Sequence, residues 1–131
     1  MRLIKLFENR QYTAACAICI DRNGHILLGK AITDDDRHEK WCFPGGGIIP
    51  GEHPSRAAER ECFEETGFKV YAVSAPFQHN KKPGVAFVVC KFGGGRLNIN
   101  HEFSIVRWIP KHEAIDLSDL YEVNRAILIS I

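Results

Sequence analysis

The chain lacks an excess of charge of either sign: 17 Lys and Arg stand against 16 Asp and Glu in 131 residues. That balance removes the global field that would recruit nucleic acid or an anionic membrane. Long apolar runs are missing too, so no segment has the length of a bilayer span. The opening "MRLIKLFENRQ" has neither an apolar core nor a small-residue cleavage site, and it is not expected to act as a secretory signal. No repeat, low-complexity tract or linker interrupts the chain, which reads as one domain over residues 1–131.

Paired cysteines are also lacking. The five, Cys16, Cys19, Cys42, Cys62 and Cys90, are an odd number. Without a signal, that points to free thiols in a reducing compartment, hence a cytoplasmic protein. "CAIC" lies in "YTAACAICI", a run of strand formers, where positions 16 and 19 point to opposite faces. No second pair with metal-ligand spacing follows, so these are read as buried structural thiols.

What the chain does have is 45% hydrophobic residues, enough for a core. "YTAACAICI", "DRNG" and "HILLGK" read as two strands joined by a turn at Asn23-Gly24. "AITDDDRHEK" is a charged loop, and "WCF" is a short apolar piece stopped by Pro44 and three glycines. Pro54 suits a first helical turn and Gly67 a left-handed stop, which predicts a helix over 54–66. "FKVYAVSA", "GVAFVVCKF", "RLNI" and "SIVRWI" read as strands, with Gly93 to Gly95 as a turn between two of them. A last helix is expected in "SDLYEVNRAILISI", capped by Ser118. This order predicts an α/β/α sandwich, a mixed sheet with helices on its faces.

The stretch "GGGIIPGEHPSRAAERECFEETGF" places Glu61, Glu64 and Glu65 within an arc of roughly 100° on one helix face. Each like-charge pair costs about a few tenths of a kcal/mol in water, and more in a cleft. Glu65 sits besides in the last turn, where the helix dipole disfavours an anion. A divalent cation reverses the sign of these interactions; Mg²⁺ takes hard oxygen ligands, a few carboxylates together with substrate phosphates. The alternative from periodicity alone is a solvated acidic face paired with Arg56 and Arg60.

The same stretch resembles the Nudix box, G-x5-E-x7-R-E-U-x-E-E-x-G-U, where U is a bulky apolar residue. Gly46, Glu52, Arg60, Glu61, Glu64, Glu65 and Gly67 match the fixed letters at the right spacing. Cys62, smaller than the usual aliphatic residue, and Phe68 fill the apolar positions. The flanking "HILLGK", "WCFPGGG" and "RWIP" also look like Nudix domains, and the fold this resemblance implies is again an α/β/α sandwich.

By that resemblance, Glu61, Glu64, Glu65 and the Gly45 carbonyl would bind Mg²⁺ or Mn²⁺. Glu61 or Glu64 would serve as catalytic base, and Arg60 would orient the acids. Glu52 would support the loop, while Gly46 and Gly67 would be backbone requirements. The implied reaction is hydrolysis of a nucleoside diphosphate linked to another group. The form expected first is a MutT-like nucleoside triphosphate pyrophosphohydrolase releasing a monophosphate and pyrophosphate. Pro83 hints at an ADP-ribose pyrophosphatase, and nucleotide sugars, dinucleoside polyphosphates and capped RNA stay open. A non-catalytic nucleotide sensor and an isopentenyl diphosphate isomerase are the rivals. Lys30, Arg37 and Glu102 are weaker candidates for substrate contact. Lys81 and Lys82 read as solvated lysines, His79 as a surface histidine, and Trp41 and Trp108 as structural. Tyr12 and Phe77 lie near strand ends, where pockets form. The partner expected is a small nucleotide, not a membrane or long nucleic acid, and a homodimer is left open.

Overall fold

The computed structural model describes residues 12–131; the opening stretch weighed above as a signal lies outside them. The elements run β1 (Ala14–Ile20), β2 (His25–Ala31), β3 (Trp41–Cys42), β4 (Gly45–Gly47), α1 (Pro54–Thr66), β5 (Phe68–Ala72) and β6 (Val85–Gly95). Then come β7 (Phe103–Pro110), α2 (Lys111–Ile115) and α3 (Glu122–Ser130). Strands join in the order β3-β2-β1-β6-β5, with β4 also on β1 and β7 also on β2. The β1–β6 pair is parallel and the others antiparallel, so the sheet is mixed.

β1 and β2 leave the Asp21–Gly24 turn paired only at Ile20 and Ile26, and then part. Asp21 shapes that turn by accepting the Asn23 and His25 N–H groups, and Gly24 sits at φ 75°. Past the split, β1 takes β4 along Ala14–Cys16, while β2 takes β3 and β7. The strand pair thus opens like a fork, and residues 41–47 fill the gap.

Side chains of β1 alternate between two layers. Ala15, Ala17 and Cys19 face α1, whose buried positions include the small Ala57, Ala58 and Cys62. Small residues on both sides let helix and sheet approach closely, and the Cys19 and Cys62 sulfurs are 3.5 Å apart. Cys62, smaller than the aliphatic residue of the motif, therefore fits a partner of matching size. Cys16 and Ile18 face the other way, Cys16 towards a cavity it lines with Tyr121 and Asn124. Cys16 and Cys19 do point to opposite faces, and all five thiols are free.

α1 has the bounds that Pro54 and Gly67 imply. His53 caps it, its Nδ1 accepting from the Ser55 N–H at 3.1 Å. Gly67, at φ 82°, donates its N–H to Phe63 O. A side chain on Gly67 would also strike the backbone of Arg96 and Asn98, which crosses the helix end and is tied there by Asn98 N–H to Thr66 O at 2.8 Å. This tie explains why "RLNI" forms no strand: the segment is an irregular strap over the helix terminus.

Gly93 to Gly95 are not a turn. They are the end of β6, paired with β5 through Phe68 and Lys69. Gly93 makes room for the Tyr71 ring and Gly95 for the Gly67 carbonyl, and the latter also takes φ 84°. β5 ends at Ala72, short of "VSA". The last helix starts at Glu122, with Tyr121 rather than Ser118 at its N-cap position, because Asp119 to Tyr121 pair with Trp41. No helix among the described residues is long and apolar enough to cross a membrane.

Candidate functional site

β4 is the wall on which the site is built. The residues flanking it bond across to β1 and its neighbour, Ile48 N–H to Thr13 O and Ala17 N–H to Pro44 O, which leaves Gly45 and Gly47 in the alternate, non-bonded positions. The N–H and C=O groups of Gly45 and Gly47 therefore point away from β1, towards α1. The Gly45 N–H donates to Glu65 Oε1 at 2.9 Å, and Gly47 O accepts from Arg60 Nη2 at 2.9 Å. Between them, Gly46 turns its Cα hydrogens to the Glu61 carboxylate, which lies 2.6 Å from where a side-chain carbon would stand.

Glu61 and Glu65 converge on this wall, Glu65 at the Gly45 N–H and Glu61 against the Gly46 Cα. Burial pushes the Glu65 carboxyl up to about 9; the Gly45 N–H works against that, and the Glu61 and Glu102 charges add to it. Glu102, in the segment between β6 and β7, thus adds its charge to the acidic side of the site. Glu64 is turned outward and nearly half-exposed. Arg60 gathers the rest: Nε and Nη2 bind Glu52 at 2.8 and 2.9 Å, and Nη1 binds Glu61 at 2.9 Å and Glu64 at 2.8 Å. Glu52 also accepts the Ile49 N–H, closing the loop between β4 and α1. Among the described residues, no three carboxylates, histidines or cysteines form a ready-made metal cluster. Glu61 and Glu65 both face the β4 wall, and Glu64, turned outward, is joined to Glu61 through Arg60.

On the other side of β4 is a cavity of about 320 Å³. Its apolar lining includes Phe43 and Phe87, packed edge to face with centroids 6.4 Å apart. Its polar lining comes from three distant segments. Arg37 and Asp35 belong to the loop after β2, Lys82 to the loop before β6, and Tyr121 and Asn124 to the start of α3. Asn124 is buried, and its Oδ1 accepts the Phe43 N–H at 2.9 Å. Lys82 Nζ donates to the Tyr121 hydroxyl at 2.9 Å, and that hydroxyl donates to Asp36 Oδ2 at 2.8 Å. Cys16 and Cys42 also line the cavity, and burial pushes both thiols up to about 12. Cys16 is only half-buried, unlike the other four.

Of the weaker candidates, Arg37 is in the cavity wall and Glu102 on the acidic side. Lys30 is elsewhere: its Nζ binds Asp119 Oδ2 at 2.9 Å beside the Trp41 ring. Lys82, read as a solvated lysine, faces the cavity instead. His79 stays in its loop, accepting from the Lys81 N–H. Trp41 is buried and Trp108 packs on Phe68 and Phe92, both in structural roles. Phe77 lies 6.0 Å from the Phe87 ring. The sequence gives no local sign of Asn124 or Tyr121, since nothing nearby marks them; only pairing across the fold brings them to Phe43 and Asp36.

The family model described as "NUDIX domain" matches residues 10–130. An RNA pyrophosphohydrolase of Rickettsia africae is 48% identical over 101 residues, covering 76% of this chain and 62% of that protein. One from Rickettsia bellii is 46% identical over 103 residues, covering 77% and 63%. The chain spans less than two thirds of the length of these curated relatives. Among solved structures, a MutT protein from Methanosarcina mazei Go1 superposes with TM-score 0.72 at 21% identity, covering 92% of each chain. A C. elegans Ap4A hydrolase superposes with TM-score 0.67 at 22% identity, covering 89% of this chain and 93% of that one. At such identities the likeness speaks for the fold alone.

Proposed function

The chain belongs to the NUDIX domain family, and from that premise we propose that it is a metal-dependent pyrophosphohydrolase. It would cleave a nucleoside triphosphate to a monophosphate and pyrophosphate, acting as one domain over residues 1–131. The observation that carries this reading is the convergence of Glu61 and Glu65 on the Gly45–Gly46 wall, with an open cavity lined by the same glycines on its other side.

The donor set fits a hard divalent ion. Two carboxylates meet at a buried edge, and the Gly45 carbonyl, unused by the β1 ladder, points to the same side. Glu61, Glu64, Glu65 and the Gly45 carbonyl would hold Mg²⁺, with Mn²⁺ as a substitute. A bound ion of this kind neutralises phosphate oxygens and activates water. The protein's own part is positional. Arg60 keeps Glu61 and Glu64 at one edge, Glu52 keeps Arg60 in place, and the glycines let the carboxylates reach the backbone. Whichever of Glu61 and Glu64 is left uncoordinated would take a proton from water; Glu64 is the more exposed and is held by a single Arg60 nitrogen. Glu102 would add charge near the ion without touching the cavity.

A second reading has a specific observation behind it: the curated relatives are named RNA pyrophosphohydrolases. The bond broken is of the same kind when the triphosphate sits on an RNA 5′ end, although the near-neutral charge of this chain supplies no long basic track. The free thiols are in keeping with a cytoplasmic setting, and gel filtration decides between monomer and homodimer.

The deciding experiment offers the protein Mg²⁺ and a panel of (d)NTPs, 5′-triphosphorylated RNA, ADP-ribose and nucleotide sugars, and identifies the products. Glu64→Gln lowers turnover at least roughly a hundredfold while the melting temperature holds. Full activity in that variant sinks the reading.

A further inference from the structure

Arg37 lies in the charged loop between β2 and β3, and Asp35 shapes that loop around it. Asp35 Oδ1 accepts the Thr33 hydroxyl at 2.7 Å and the Arg37 N–H at 3.0 Å. Its Oδ2 accepts from Arg37 Nη2 at 2.8 Å and Nε at 3.1 Å. The loop closes behind this pair: His38 Nδ1 meets Thr33 O at 2.7 Å, and Glu39, at φ 60°, donates its N–H to Ala31 O. One long edge of the guanidinium is therefore occupied. Among the described residues Nη1 has no partner, so the terminal edge, Nη1 with the outer hydrogen of Nη2, is available. Arg37 lines the cavity beside the aromatic wall of Phe43 and Phe87.

Lys82, the other cation of the lining, differs. Its ammonium is already engaged by Tyr121, which is in turn fixed to Asp36. Arg37 is thus the lining cation with a directional pair of donors to spare. Such an edge, held in advance by a carboxylate on its other side, loses little freedom on binding. Its geometry matches two adjacent acceptor atoms in one plane, as in the O6/N7 edge of guanine or two oxygens of a phosphate.

We propose that Arg37 is a specificity-determining residue of the cavity, taking two adjacent acceptor atoms of the substrate, with Asp35 as its positioning residue. The inference rests on the reading of this site as a nucleotide site. It names which part of the cavity chooses the ligand.

The test uses the full chain with Arg37→Met, Arg37→Lys and Asp35→Asn. KM and kcat are measured for GTP, 7-deaza-GTP and ATP, and Kd for each by calorimetry without Mg²⁺, where hydrolysis plays no part. Losing a two-point contact raises KM and Kd by about tenfold or more. If the acceptors are on the base, Arg37→Met weakens GTP, and 7-deaza-GTP is already weak with the wild type. If they are on phosphate, all three ligands weaken alike. In either case Arg37→Lys fails to restore binding, and Asp35→Asn raises KM by a larger factor than it lowers kcat. A merely structural loop would instead lower the melting temperature and leave KM alone. Unchanged KM and Kd in Arg37→Met, full function in Arg37→Lys, or no nucleotide bound by the wild type would each overturn the proposal. Binding without turnover would remove the hydrolase reading and leave Arg37 to be judged on Kd.

Discussion

Gly45 and Gly46 are neighbours, yet adding one methyl group to each should have opposite consequences. At Gly46 the new carbon would stand 2.6 Å from Glu61 Cδ and Oε2 and 2.8 Å from Oε1. Non-bonded heavy atoms settle at roughly 3.5 Å or beyond, so the carboxylate must retreat by somewhat less than about 1 Å. It is the far end of a flexible side chain and the Gly46 backbone is not in the left-handed region, so the fold gives way at little cost. Stability should change by well under about 1 kcal/mol. Catalysis should not be so forgiving, since misplacing a group by about 1 Å can lower a rate by about a hundredfold. At Gly45 the obstacles are Ala15 O at 2.5 Å and Cys16 Cα at 2.8 Å, parts of the β1 backbone that cannot swing aside. Gly45→Ala should therefore destabilise by about 1–3 kcal/mol. The assay pairs thermal melting with Mg²⁺-dependent nucleotide hydrolysis. Gly46→Ala should melt near the wild type and turn over about a hundredfold more slowly, whereas Gly45→Ala should melt several degrees lower. Wild-type turnover in Gly46→Ala would refute the placing of Glu61 at the reacting centre. Equal melting losses in both would refute the distinction between a movable carboxylate and a fixed backbone.

Three further outcomes can be checked independently. Asn124→Leu removes the acceptor of the buried Phe43 N–H, so the urea midpoint should fall by an amount worth about 1–3 kcal/mol, and an unchanged midpoint contradicts that hydrogen bond. The Arg60 guanidinium holds Glu52 below the usual carboxylate range despite some burial. A lowered folded value means the unfolded chain binds more protons, so this stabilisation is present above about pH 4.3 and fades as pH falls through the folded value. The stability gap between wild type and Glu52→Gln should accordingly be full near neutrality and close in acid, and a gap that widens in acid refutes the pairing. Burial pushes Cys16 and Cys42 up to about 12, so iodoacetamide at pH 8 should label them slowly in the native protein and label five thiols once it is unfolded. Rapid native alkylation of Cys16 would contradict this.

Much of the frame could be read from local signals. Pro54 and Gly67 bracket α1 because each has a backbone reason to be there, and "YTAACAICI" alternates as a strand between two layers. The errors share one cause, long-range contact overriding local chemistry. Three consecutive glycines look like a turn, but here they clear space for Tyr71 and for the Gly67 carbonyl. Ser118 looks like a cap, but Asp119 and Tyr121 are committed to Trp41, which delays α3. "RLNI" has strand formers, but Asn98 is bound to the end of α1. The acidic edge was legible because its residues lie within one helix and the loop before it. The cavity was not, since Phe43, Lys82, Tyr121 and Asn124 come together only through the fold.

The β4 wall has one residue of thickness, and its two sides belong to different parts of the chain. Peptide groups and acids from residues 45–65 occupy one side, while the loops around Arg37 and Lys82 and the start of α3 shape the other. Exchange of those outer segments can therefore reshape the cavity without rebuilding the acidic side. Any change that shifts the three shared glycines is felt on both sides at once.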